Sequence, residues 1–177
     1  MKKIKLYLDF DGVILDTITV TYQMIEEQKL KTRDEIIKFF QTLDWNNLIK
    51  TAPIMNDSIN CIRKLIDSNR FNISILTHVN SKGEAEEKIK MINKKFPEIS
   101  IIPCPKRIDK CDFVSPINSI LVDDYLGNLE KWQAKGGISV KFSDKNKQNN
   151  KFITITKLDQ LLNIDFNMNK EKVYKRV

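Results

Sequence analysis

The chain has 177 residues, of which 41% are hydrophobic, and a formal net charge of +7. That length supports one sizeable core with a small accessory lobe and excludes two full domains. No run approaches the roughly 18 to 20 apolar residues of a membrane span, and the first residues lack a signal peptide's long apolar region, so a cytoplasmic protein without a membrane partner is expected.

The positive charge invites a nucleic-acid reading. The basic residues are scattered over helical stretches among nearly as many acids, 30 against 23, which is the pattern of a solvated surface. Nucleic acid is therefore not the expected partner, whereas attraction of a small anionic substrate fits the charge. The three cysteines, Cys61, Cys104 and Cys111, form no CxxC pair, and with His78 as the single histidine they read as reduced core thiols.

Along the chain, residues 3–9 (KIKLYLD) read as a short strand, apolar on both faces as in the middle of a parallel sheet. From 18 to 51 the period becomes helical, in "TVTYQMIEEQKL", "TRDEIIKFFQTL" and "DWNNLIK", and Pro53 ends that run. A helix over "DSINCIRKLIDS" is expected to be capped by Asp57 or Ser58 and to pack Ile59, Ile62, Leu65 and Ile66. Strand-like runs then follow at 71–77, 98–104, 117–124 and 136–142 and in "KFITIT", with helices over "SKGEAEEKIKMINKKF" and "LGNLEKWQAK" between them.

This alternation predicts an α/β, Rossmann-like three-layer core with a mainly parallel sheet, formed by residues 1–17 and 52–165. Residues 18–51 stand outside the alternation as a small helical cap inserted after the first strand, and 166–177 form a basic C-terminal tail with partial disorder. In open parallel sheets ligands sit beyond the carboxyl ends of the strands. Those ends carry Asp9 and Asp11, then Thr77 and His78, then Asp123 and Asp124, so four carboxylates and a hydroxyl converge on one rim.

Acids at such range raise one another's pKa unless a cation intervenes. Carboxylate and carbonyl oxygens with no nearby thiolate or paired imidazole favour Mg²⁺. An EF-hand reading of "DFDG" fails, because the fifth and sixth loop positions are Val13 and Ile14 where an acid and a glycine are needed.

The ordered phrases "LDFDGV", "ILTH", a lysine in "PCPKRIDKCDF", and "ILVDD" resemble the four motifs of the haloacid dehalogenase (HAD)-like phosphohydrolase superfamily over residues 3–142. "DFDGVILDT" and "ILVDDYLGNLEKWQAKGG" look most like its 5'(3')-deoxyribonucleotidase and 5'-nucleotidase group, although that group often shows Thr-Ser where this chain has Thr77-His78.

The resemblance implies a Mg²⁺-dependent phosphomonoesterase acting on (deoxy)nucleoside monophosphates, with phosphatases of sugar phosphates or other small metabolites as the alternative. A non-catalytic module for a phosphorylated ligand or nucleic acid is the reading it disfavours.

By resemblance, Asp9 is the nucleophile and Asp11 the general acid and base. Thr77 and a lysine bind and neutralise the phosphoryl group. The lysine is Lys110, with Lys106 as the alternative, and His78 is a further substrate contact or a residue bonded to backbone. The metal is assigned to Asp9, the Asp11 backbone carbonyl and Asp124, with Asp123 in support. Phe39, Phe40 and Trp45 read first as packing within the cap and second as a surface for a base, and Trp132 as core.

Overall fold

A computed structural model of the chain describes residues 3–144, 151–166 and 174–175. Its main sheet has six parallel strands, β1 (Ile4–Leu8), β2 (Phe71–Val79), β3 (Ser100–Pro105), β4 (Ser119–Asp123), β5 (Ile138–Phe142) and β6 (Ile153–Ile155), in the order β3-β2-β1-β4-β5-β6. The order reverses between β1 and β4, where connections leave to opposite sides and a crevice opens at the carboxyl ends. Leu8 of β1 pairs with Val122 of β4, which sets Asp9 and Asp123 side by side at that switch point.

Strand alternation divides the apolar residues between two layers. Leu6 and Leu8 join Ile62, Leu65, Ile75, Ile120 and Val140 on one face, while Tyr7, Leu76, Leu121, Leu129 and Trp132 fill the other. The helices α4 (Ser58–Asp67), α5 (Lys82–Lys95), α6 (Lys110–Phe113) and α7 (Leu126–Ala134) complete the α/β layers. Trp132 is fully buried and meets Tyr7 edge to face, as expected for a core residue.

Between β1 and α4 lie three helices, α1 (Thr17–Glu27), α2 (Arg33–Thr42) and α3 (Trp45–Thr51). Each begins on an oxygen that satisfies otherwise unpaired amides: Asp16, Thr32 and Asp44 accept from the backbone N–H groups of Thr19, Glu35 and Asn47. The segments entering and leaving this insertion are stitched together, since Met55 N–H and the Ser58 hydroxyl both donate to the Ile14 carbonyl and Asp16 N–H donates to that of Pro53.

Several boundaries differ from the expectations. β2 runs two residues further, to Val79, and α6 is a short helix that the periodicity did not show. Asp57 stands at the start of α4 in the left-handed region, φ 61°, and gives no side-chain cap; its carboxylate accepts from Asn60 instead. Phe166, placed in the tail from sequence, is core, with its ring edge to face against Phe71. Of the remaining tail, 167–173 and 176–177 lie outside the described residues, and the backbone of Tyr174–Lys175 (β8) pairs antiparallel with Ile164–Asp165 (β7).

Candidate active site

Asp9 follows β1 directly. Its backbone N–H donates to the Val122 carbonyl, so the sheet fixes its main chain, and one carboxylate oxygen accepts from Phe10 N–H and from Lys110 Nζ, both at 2.8 Å. Lys110, the first residue of α6, is buried and also reaches Asp123 at 2.7 Å. Asp123 accepts further from Asn128 Nδ2 at 2.9 Å and from Tyr125 N–H at 2.8 Å, so both its oxygens are engaged. Burial pushes the Asp9 pKa up to about 8, Lys110 opposes this, and the charges of Asp123, Asp11 and Asp124 add to it.

After Asp9 the chain turns at Gly12, φ +71°. A Cβ built there would lie 2.6 Å from Asp124 Oδ2 and 2.9 Å from its Cγ, so the close approach of loop and carboxylate requires glycine. Among the described residues no donor reaches the Asp124 carboxylate, and burial raises its pKa to about 6, with the charge of Asp123 adding to that.

Asp9, Asp123 and Asp124 each offer a carboxylate oxygen within 4.8 Å of the others. Five carboxylates, counting Asp11 and Glu84, share this region with two buried ammonium groups, Lys88 and Lys110. The surplus of hard oxygen donors, one of which meets no donor among the described residues, fits a divalent cation such as Mg²⁺, which Asp9 and Asp124 would hold while Asp123 pairs with Lys110.

Asp11 sits one pleat further on. Thr17 Oγ1 donates to one carboxylate oxygen at 2.7 Å; the other receives Lys88 Nζ at 2.5 Å and the Thr77 hydroxyl at 3.3 Å. Burial favours the neutral acid, but the Lys88 ammonium and the hydrogen bonds outweigh it and hold the Asp11 pKa below the usual carboxylate range. Lys88 was not anticipated. α5 turns Glu84, Lys88 and Ile92 inward at four-residue spacing, a face chosen by the helix's rotation against the sheet and not marked in a sequence where charged residues outnumber apolar ones.

Sequence reasoning placed Thr77 against substrate, whereas its hydroxyl is fully buried within the Asp11–Lys88 network. His78 lines the cavity, and its Nε2 lies 3.0 Å from the Ile108 carbonyl, so that nitrogen carries the proton. Burial lowers its pKa to about 4, with the charge of Lys110 adding to the effect, and the ring is neutral. Of the two candidate lysines, Lys110 is the buried partner of Asp9, and Lys106 is exposed at the cavity wall.

These groups open into a cavity of about 410 Å³. It is lined by Asp9, Asp11 and Asp124, by Ile18, Tyr22, Phe40 and Trp45 of the helical insertion, and by His78, Asn80 and Lys106 at and beyond the ends of β2 and β3. Trp45 Nε1 donates to the Phe40 carbonyl at 3.3 Å, so its single donor is spent inside the insertion.

No protein-family model matches the sequence, and no curated protein does. Solved structures do match. A HAD-superfamily hydrolase, subfamily IA, variant 1, from Geobacter sulfurreducens superposes with a TM-score of 0.61 at 14% identity, covering 91% of this chain and 98% of that one. The chain has the fold of HAD-superfamily hydrolases. A HAD phosphatase from Thermococcus onnurineus shares the fold with a TM-score of 0.59 at 16% identity, over 90% and 96% of the two chains. So does D,D-heptose 1,7-bisphosphate phosphatase from Burkholderia thailandensis, with a TM-score of 0.52 at 13% identity, over 90% and 96%. Within that fold, the crevice between β1 and β4 is where this chain gathers its carboxylates.

Proposed function

We propose that the protein is a divalent-metal-dependent phosphomonoesterase working through a phosphorylated Asp9. The observation that carries this reading is the pairing of Asp9 with a buried Lys110 beside the Asp124 carboxylate, which meets no donor among the described residues, with Asp11 two residues on. Burial leaves Asp9 largely protonated near pH 7; Lys110 and a bound divalent cation would together draw it to the ionised form, and that carboxylate attacks phosphorus as the bond to the leaving oxygen breaks. Asp11 gives its proton to that oxygen, then takes one from the water that opens the acyl phosphate. The substrate-free site holds Asp11 ionised; the negative charge of an arriving phosphate raises its proton affinity. A bound Mg²⁺ supplies charge neutralisation for the phosphoryl oxygens.

For the substrate, residues 18–51 act as the cap, and its wall favours a leaving group with a flat apolar face. Tyr22 is 66% exposed and Phe40 is half-buried, so both rings are available to one, and the volume accommodates a nucleoside. We take a nucleoside or deoxynucleoside 5'-monophosphate as the leading substrate. A sugar phosphate is the second reading, favoured by the polar Asn80 and Lys106 of the cavity lining and by the heptose-bisphosphate phosphatase among the similar structures.

Phosphate release from a panel of nucleotides and sugar phosphates with Mg²⁺ tests both. Turnover of sugar phosphates alone would remove the nucleotide reading, and an Asp9→Asn variant that still turned over would remove the covalent mechanism.

A further inference from the structure

Lys88 has no part in the reaction just described, and yet it is the most completely enclosed cation of the site. Its side chain is fully buried, its ammonium reaches Glu84 at 2.7 Å, Asp11 at 2.5 Å, the Thr77 hydroxyl at 3.1 Å and the His78 carbonyl at 3.2 Å, and the rings of Trp45 and Phe10 lie 4.9 and 5.2 Å away. Taking an ammonium out of water costs several kcal/mol before pairing offsets it. Apolar residues in place of both Lys88 and Glu84 would pack against the sheet at no such cost, so stability alone does not account for the buried pair here.

The arrangement has a direction. Glu84 is held by Asn80, whose N–H and Nδ2 donate to it at 2.7 and 3.2 Å, and it pairs with Lys88 one helical turn along. These two form a self-sufficient buried pair. Asp11 is the third member, its side chain 22% exposed where it lines the cavity, and Thr17 at the start of α1 holds its other oxygen. Both oxygens of the proposed acid are thus fixed from separate elements, and the cation sits against Trp45 of α3, the base of the cap.

We infer that Lys88 is a positioning residue: it fixes the Asp11 carboxylate towards the leaving-group oxygen and ties that orientation to the seat of the cap. The inference rests on the phosphomonoesterase reading. A misplacement of about 1 Å in a proton-transfer group costs on the order of 100-fold in rate, and that cost falls on substrates whose leaving oxygen needs a proton.

The test compares kcat/KM, which covers steps up to leaving-group departure, for p-nitrophenyl phosphate and for an alkyl monoester, either a nucleoside 5'-monophosphate or glucose 6-phosphate, whichever turns over faster. The variants are Lys88→Met and, because that change strands Glu84, the double variant Glu84→Leu/Lys88→Met, with Asp11→Asn as control and far-UV circular dichroism as the folding check. The expected result is a loss of about 100-fold on the alkyl monoester and under about 10-fold on the aryl one.

Equal losses on both substrates, no loss on either, or failure of both variants to fold would assign Lys88 to structure and overturn the inference. If Asp11→Asn shows no selective loss on the alkyl monoester, or the wild-type protein hydrolyses neither substrate, the reading of the site falls and Lys88 with it. A selective Asp11→Asn defect without a selective Lys88 defect removes this inference alone.

Discussion

The Lys110 side of the site and the Lys88 side have the same ingredients, a buried ammonium between two carboxylates, and differ in what holds them. Asp9 and Asp123 stand at neighbouring strand ends whose register the β1–β4 ladder fixes, and each accepts from a backbone N–H nearby. Asp11, Glu84 and Thr17 stand on a loop and on two helices, with Trp45 of the insertion closing the space. Sheet register is set by many ladder hydrogen bonds at once, whereas helices slide on their packing surfaces. The proposed nucleophile, Asp9, is therefore built on the rigid side, and the proposed proton carrier, Asp11, on the side that feels the position of the helical insertion.

Removing Lys110 is the strongest way to break this comparison. Lys110→Met leaves Asp9 and Asp123 side by side without their shared cation, and an uncompensated buried charge costs about 3–5 kcal/mol. We expect a loss of that size in urea unfolding at pH 7.5 without metal, together with loss of turnover. A variant as stable and active as wild type would show that the sheet holds Asp9 without its lysine.

Gly12→Ala strikes between the two sides. The new methyl would meet the Asp124 carboxylate at a backbone position, φ +71°, that suits glycine. The expected cost is about 1–3 kcal/mol in stability, with a 10- to 100-fold fall in turnover as Asp124 is pushed from the proposed metal position. Recovery of part of that turnover by raising Mg²⁺ would locate the damage there.

The Lys110 side was legible in the sequence because its parts are tied to strand ends, and strand ends show where an apolar run stops: "LYLD" gives Asp9 and "ILVDD" gives Asp123 and Asp124. The mainly parallel sheet followed from the alternation of those runs with helices, whereas the order of its strands came only with the structure. The Lys88 side was not legible. Lys88 lies in "AEEKIKMINKK", where charged residues outnumber apolar ones and which of them faces inward depends on helix rotation, a tertiary fact. The position of Thr77 followed from the strand, whereas the contacts of its hydroxyl with Asp11 and Lys88 depend on that unread helix face.

A pH titration in the absence of metal sharpens the contrast at smaller amplitude. The folded-state pKa of Asp9, about 8, lies above its value in the unfolded chain, so ionising Asp9 costs more in the folded protein and stability falls as pH rises towards and through 8. His78 works in the opposite sense, but only between about 4 and its unfolded value near 6.5, and the Cys61, Cys104 and Cys111 thiols, which burial pushes up, add to the fall only as pH nears 9, so the window from pH 7 to 8 reports Asp9 most directly. We expect the melting temperature in EDTA to fall by a few degrees across that window, about 2–4 °C for each kcal/mol. Mg²⁺ should raise it more at pH 9 than at pH 7, since the ion then displaces no proton. A melting temperature that rose between pH 7 and 9 would contradict the buried, crowded state of Asp9.

The smallest effect belongs to Lys106, which stands four residues before Lys110, the first residue of α6. Lys106 is exposed on the cavity wall and, among the described residues, has no ion-pair partner, so it meets the substrate through water-screened attraction. An exposed charge of this kind contributes on the order of 1 kcal/mol, which is roughly a fivefold change in binding. Lys106→Ala should accordingly raise KM about 3- to 5-fold with kcat unchanged, and the rise should shrink as salt is added. A fall in kcat as large as that of Lys110→Met would mean that Lys106 moves in beside Asp9 when substrate binds, and the rigidity assigned to the Lys110 side would have to be given up.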